Sequence, residues 1–269
     1  MDLADLEYVS EKLTRFKTEL QVEILPDWGI TTDGPWHSGK WTKNELDKLH
    51  DYVGLLAGAM GGNENFIKNL GGVRFKKANI GSHRGKALLH YVSLSENGTF
   101  SAWTVVHELA HAWDANHGWR LSVALERYTG GYTSPTLSYL KRLIGRRDSA
   151  FSEPQDLPGR RGRLPGCNKA GYFYGDQPSG SNWVFNRKED FAESVAMYAG
   201  WNRDNDLTRQ ARARVERYLL PNGTRDKFYG MVDNWSDYAR FFYPENGDYT
   251  TTKRWEFIDR LANGKIAVP

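Results

Sequence analysis

Cysteine is nearly absent from this chain: Cys167 is the only one. A lone thiol excludes an intramolecular disulfide framework, and it excludes a structural zinc site built from several thiolates. Long apolar runs are missing as well, since no stretch approaches the ~18 apolar residues that a membrane span needs. The opening residues Met1-Asp2-Leu3-Ala4-Asp5 are acidic and lack the basic-then-apolar layout of a secretory signal. The expectation is a soluble, cytoplasmic protein with no membrane partner, a signal-less export route being left open. Positive and negative charge nearly balance, with 36 Lys and Arg against 33 Asp and Glu. A net charge of +3 is too small to argue by itself for nucleic acid. No internal repeat is visible.

What remains is ordinary globular material, with one excess. Hydrophobic residues make up 39% of the 269 and charged residues 26%, which suits one large or two small domains with a sizeable core. Aromatics reach 13%, and such residues build cores or line extended grooves.

Periodicity places the elements. Leu6, Val9, Leu13, Phe16 and Leu20 fall at helical spacing, so Leu3 to Leu20 reads as an amphipathic helix. The stretch from Pro26 to Lys43 holds three tryptophans and reads as an irregular connection packed by its own aromatics. Thr42 followed by Glu45 has the spacing of a capping box, opening a helix through Leu46, Leu49, Val53 and Leu56 that ends by Gly61-Gly62. Val73 to Ala78 alternates apolar and basic residues and reads as a strand, and Ala87 to Leu94 reads as another. Asn97-Gly98-Thr99 then starts a helix that Gly118 stops.

Later helices are expected over 121–128, 136–144, 187–200, 207–220, 227–242 and 254–261. Between them, 145–183 is loop-rich. Gly145 to Gly166 is the least globular part, carrying Arg146-Arg147, Arg160-Arg161-Gly162-Arg163 and three prolines. This reads as a long exposed loop, solvated or serving as a lid or basic contact. The expected organisation is an N-terminal helix and aromatic-rich connection over 1–40, then a single domain over 41–269.

The helix after Thr99 carries the chemistry. Its core is His107-Glu108-Leu109-Ala110-His111, an H-E-x-x-H pattern. Residues four apart on a helix lie one above the other, so His107 and His111 present two imidazoles to one point. That is the geometry a tetrahedral zinc accepts from one helix. Glu108, one residue round, can reach a water at the metal without binding the metal, where a general base must sit. Phe100, Trp103, Val106, Ala110 and Trp113 form one apolar stripe, and Val105, Leu109 and Ala112 a second flank. A helix apolar nearly all round belongs in the centre of a core.

A catalytic zinc needs a third protein ligand and an open position. His117 stands six residues after His111, the metzincin spacing, but that pattern requires Gly where this chain has Asp114. A helix continuing to Gly118 would turn His117 away from His111. The other candidate is Glu189-Asp190-Phe191-Ala192-Glu193. Its two glutamates are four apart and repel unless a cation or a donor lies between them. Such a pair suits one metal ligand and one partner that orients a ligating imidazole.

Together, His107-Glu108-Leu109-Ala110-His111-Ala112-Trp113-Asp114 and Glu189-Asp190-Phe191-Ala192-Glu193 resemble the paired motifs of the gluzincin metalloproteases. More narrowly, they resemble the catalytic domain of the anthrax lethal factor family, H-E-x-x-H-A-x-D with E-x-F-A-E. In element order the resemblance covers residues 40–240. It implies an α+β zincin-like fold, mainly helical, with a small sheet in the N-terminal half. It implies Glu189 as the third zinc ligand and Glu193 as a partner of the ligand shell. It also implies a transition-state tyrosine, matched by Tyr174 before Gly175. The spacing from Tyr174 to the second motif departs from that family's, which leaves Tyr172 as the substitute.

The expected activity is that of a zinc metallopeptidase. Zn²⁺ would be held by His107, His111 and Glu189, with Glu108 as general base toward a zinc-activated water and Tyr174 at the oxyanion. Asp114 is a further candidate behind the ligands, and Cys167 a thiolate able to block the metal. A protein or peptide is the expected substrate. Two alternatives stand beside this reading: a non-catalytic interaction protein with a zincin core, and a zinc protease acting on nucleic-acid-bound proteins, nucleic acid being contacted by the Arg-rich loop.

Overall fold

The computed structural model describes residues 3–25, 41–81, 83–96, 100–128, 187–201 and 249–266. They form an α+β structure, mostly helical, with one four-stranded sheet among the described residues. The chain divides into two compact units, Met1–Gly118 with Ala262–Ile266 and Trp119–Leu261 with Ala267–Pro269. The expected helices over 136–144, 207–220 and 227–242, the connection over 26–40 and the Arg-rich loop lie outside the described residues.

In the first unit, α1 (Leu3–Leu20) has the bounds that its apolar spacing predicts, with Phe16 and Leu20 buried. Its polar side is tied to α2 (Lys43–Ala59), where Tyr8 donates to Asp47 and the Lys12 ammonium lies 2.6 Å from the same carboxylate. The Lys12 contact, then the Tyr8 hydroxyl, hold the Asp47 carboxyl below its ordinary range. That hydrogen bond likewise pushes Tyr8 up to about 12.

The capping box opens α2 as the Thr42/Glu45 spacing predicts. The Glu45 N–H donates to Thr42 Oγ1 at 3.2 Å and the Thr42 N–H to Glu45 Oε2 at 2.8 Å. Glu45 has a second task. It accepts from Lys77 Nζ at 2.9 Å, with the Lys77 side chain only 4% exposed. Lys77 thus occupies an inward position of the strand, where alternation alone would place an apolar residue.

The sheet runs β1-β2-β4-β3, with β1 (Glu23–Ile24), β2 (Arg74–Ala78), β3 (Gly85–Leu88) and β4 (Tyr91–Ser95). The β1–β2 and β2–β4 pairs are parallel and β3–β4 is antiparallel, so β3 is an edge strand. The single strand expected over 87–94 is in fact a hairpin, with Leu88 opposite Tyr91 across the turn Leu89-His90. Leu89 adopts φ 53°, the left-handed value that a two-residue hairpin turn demands at its first position. Glycine or asparagine normally marks such a turn, so an apolar run through Leu88 and Leu89 hides it.

Two further elements carry no clear sequence signal. The two residues of β1 are too few for a pattern. Helix α3 (Asn63–Leu70) starts from Gly62, at φ 121°, which has no side chain to cap it.

Inward residues Phe75, Val92 and Leu94 cover one face of the sheet, and α4 (Ala102–Asn116) packs on β3 and β4 as well as on α2 and α3. Ser101, rather than Asn97, Gly98 or Thr99, caps α4, its Oγ accepting from the Thr104 N–H at 3.2 Å. Gly118 at φ 63° marks the stop, as expected.

The second unit is helical among its described residues. Helix α5 (Arg120–Tyr128) packs on α6 (Arg187–Gly200), in which every residue from Phe191 to Gly200 is buried. A 3-10 turn, Tyr249–Thr251, leads into α7 (Lys253–Ala262), all but the last residue of which belongs to this unit. The Tyr249 hydroxyl donates to the Ser194 carbonyl at 3.2 Å and Tyr198 to Asp259 at 2.9 Å, so both ties hold α6. No helix among the described residues is long and apolar enough to cross a membrane.

Glu45 serves the cap and the buried ammonium together. Glu45→Ala is therefore expected to destabilise the protein by about 3–5 kcal/mol, the usual cost of taking one partner from a buried ion pair. Thr42→Ala, which removes only the cap, is expected to cost about 1 kcal/mol. Urea denaturation of the two variants checks the difference.

Candidate metal centre

Twelve of the fifteen residues of α4 are buried, among them His107, Glu108 and Asp114. Apolar side chains from Trp103 to Trp113 hold the helix on every side, so its polar groups have fixed surroundings. His107 and Glu108 are each 5% exposed, and His111 is half-buried.

The two imidazoles meet. His107 Nε2 and His111 Nε2 lie 3.1 Å apart, with the ring planes at 82°. Two nitrogens bound to one tetrahedral zinc at the usual bond length stand about 3.3 Å apart. The pair is thus close to two vertices of a zinc site. In the absence of an ion, one Nε2–H donating to the other nitrogen accounts for the same approach.

On α6, Glu189 is half-buried and Glu193 is buried, so neither is a solvated surface glutamate. Next to them, the Lys188 ammonium sits 3.3 Å from the centre of the Trp119 ring. Glu189, the third ligand that the sequence offers, belongs to the second unit, and His107 and His111 to the first. Two imidazoles and a carboxylate make a zinc donor set.

His117 is placed elsewhere. The helix continues through Asp114 to Asn116 instead of breaking, and His117 Nδ1 turns back to the Trp113 carbonyl at 2.9 Å. The metzincin arrangement needs a left-handed break at that point, and a buried, helical Asp114 does not supply one. Tyr174, Tyr172 and Cys167 lie outside the described residues.

One neighbour of the site escaped the sequence reading. Gly85, the first residue of β3, is buried and lies directly against Glu108. A methyl group at Gly85 would come within 2.6 Å of Glu108 Cγ, 2.9 Å of its Oε1 and 2.8 Å of Thr104 Cγ2. Only the glycine itself, a residue that weakens a strand interior, could have signalled this approach.

Compared with protein-family models, with curated proteins and with solved structures, the chain matches none.

If the group holds an ion, ligand substitutions should separate from neighbours. After equilibration with zinc and gel filtration, elemental analysis is expected to find about one zinc per chain in the wild type. His111→Ala and Glu189→Gln should each lose most of it, and His117→Ala should keep it. A chain that stays loaded in Glu189→Gln and empties in His117→Ala would identify His117 as the third ligand.

Proposed function

We propose that this chain is a zinc-dependent peptidase with a zincin-like catalytic domain of the gluzincin type. The observation that carries the reading is the His107–His111 approach at 3.1 Å on a buried helix, with a buried Glu108 beside it. The pair Glu189 and Glu193, four apart on α6, offers the carboxylate of the same ligand set.

In this reading His107, His111 and Glu189 hold Zn²⁺. The ion supplies Lewis acidity, acidifying a water and polarising a carbonyl. Glu108 does the proton work. It follows His107 by one residue, about 100° round the helix, so its carboxylate reaches past the ligands without joining them. It accepts the proton of the attacking water and later delivers that proton to the leaving amine. Burial of Glu108 excludes bulk water from that exchange.

Glu193, one turn beyond Glu189 on a fully buried stretch, serves as a positioning residue for the ligands in this scheme. Tyr174 is assigned the oxyanion hydrogen bond, with Tyr172 as the alternative. The substrate is a protein or peptide.

Glu108→Gln preserves shape and removes the base. Zinc content and melting temperature are expected to stay near wild type, while cleavage of a diverse peptide library falls by about 10²-fold or more. Tyr174→Phe should keep the metal and lose about 2.7–4 kcal/mol of transition-state stabilisation. If zinc-loaded wild type cleaves no peptide, with a chelator-treated sample as the control, the peptidase reading gives way to an interaction scaffold.

A further inference from the structure

The glycine at position 85 has no backbone reason to be there. It opens a regular antiparallel ladder, opposite Leu94, and its φ lies outside the left-handed region that favours glycine. A glycine in a strand costs pairing stability and side-chain packing. Its neighbours on the inner face, Phe75, Val92 and Leu94, are large and apolar, so a larger residue would ordinarily be favoured here.

What occupies the vacant side-chain position is Glu108. The missing methyl would overlap both Cγ and Oε1 of that side chain, at distances that real contacts do not reach. Part of the overlap would fall on Thr104 Cγ2, one turn earlier on α4. Strand β3 has a single neighbour in the sheet, β4, and packs on α4, so the helix and the strand meet at this residue.

We propose that Gly85 is a positioning residue for the Glu108 carboxylate. The edge strand approaches α4 closely because Gly85 has no side chain, and that contact confines Glu108 to the rotamer it adopts against β3. A side chain at position 85 would push the carboxylate away and leave His107 and His111 in place. The catalytic half of this inference rests on the peptidase reading. The contact itself does not.

The test is a double-mutant cycle with two readouts. Gly85→Ala is expected to retain zinc and to lower kcat by about 10²-fold, the scale of loss from misplacing a reacting group by about 1 Å, with KM changed far less. It should also lower Tm by about 2–6 °C, as overpacking does. In a Glu108→Ala background the same substitution should cost less than half of that shift, because two of the three atoms it strikes are gone and only Thr104 Cγ2 remains.

Thr104→Ser, which removes the other overlapping methyl, should recover part of the Tm of Gly85→Ala and little of its kcat. If Gly85→Ala folds only together with Glu108→Ala, the coupling is answered in the same direction.

Equal Tm losses in both backgrounds, or full recovery of kcat by Thr104→Ser, would overturn the proposal and leave Gly85 as a packing residue only. Wild-type protein that cleaves nothing would remove the peptidase reading. The thermal cycle would then decide by itself whether Gly85 positions Glu108.

Discussion

Two imidazoles brought to 3.1 Å on a helix buried nearly all round are the constraint from which the rest of the first unit follows. Adjacent polar rings in an apolar core carry a desolvation cost unless they are held by hydrogen bonds or by an ion. Fraying of the helix carrying them would separate the nitrogens, because their approach depends on an intact i, i+4 turn. Ser101 caps its start and Gly118 stops it. Sheet strands pack on one side of it and α2 and α3 on others. The surrounding elements act as a clamp on one short stretch of backbone.

The sheet contributes more than a hydrophobic face. Its order puts β3 at an edge with only β4 beside it, and Gly85 brings that edge onto α4. The opposite arrangement holds deeper in the sheet. There Lys77 points inward and is satisfied by Glu45, which also caps α2. A charge on a strand interior is thereby paired, and the pairing fastens β2 to the start of α2. One strand is placed by an ion pair and another by the absence of a side chain.

The second unit shows why α6 reads as it does. Burial from Phe191 to Gly200 leaves no solvated face over that stretch, and hydrogen bonds from Tyr249 and Tyr198 anchor it. A buried carboxylate needs hydrogen-bonding or ionic partners. That need makes the buried Glu193 chemically informative, where a glutamate on an exposed helix would say little.

Much of this was legible in the chain, for reasons that are local. The i, i+4 step of His107 and His111, the bounds of α1 and α6, the capping box at Thr42 and Glu45 and the stop at Gly118 all depend on residues within one or two turns of each other. Short-range geometry is the same in any fold, so spacing alone suffices for it. The exclusion of His117 was half local. The sequence showed Asp114 where a break needs glycine, and the structure showed the helix continuing through it.

Other features required the tertiary structure, because they join residues with no sequence relation. The turn at Leu89-His90 follows from the pairing of Leu88 with Tyr91, which an apolar run conceals. Lys77 is buried because Glu45 lies 32 positions away in sequence and 2.9 Å away in space. Gly85 matters to Glu108 because two elements that could each form without the other are pressed together there. By itself the sequence determined which side chains share a helix face. Which distant backbone would lean on that face was decided by packing, since contact across elements depends on how the whole core fills.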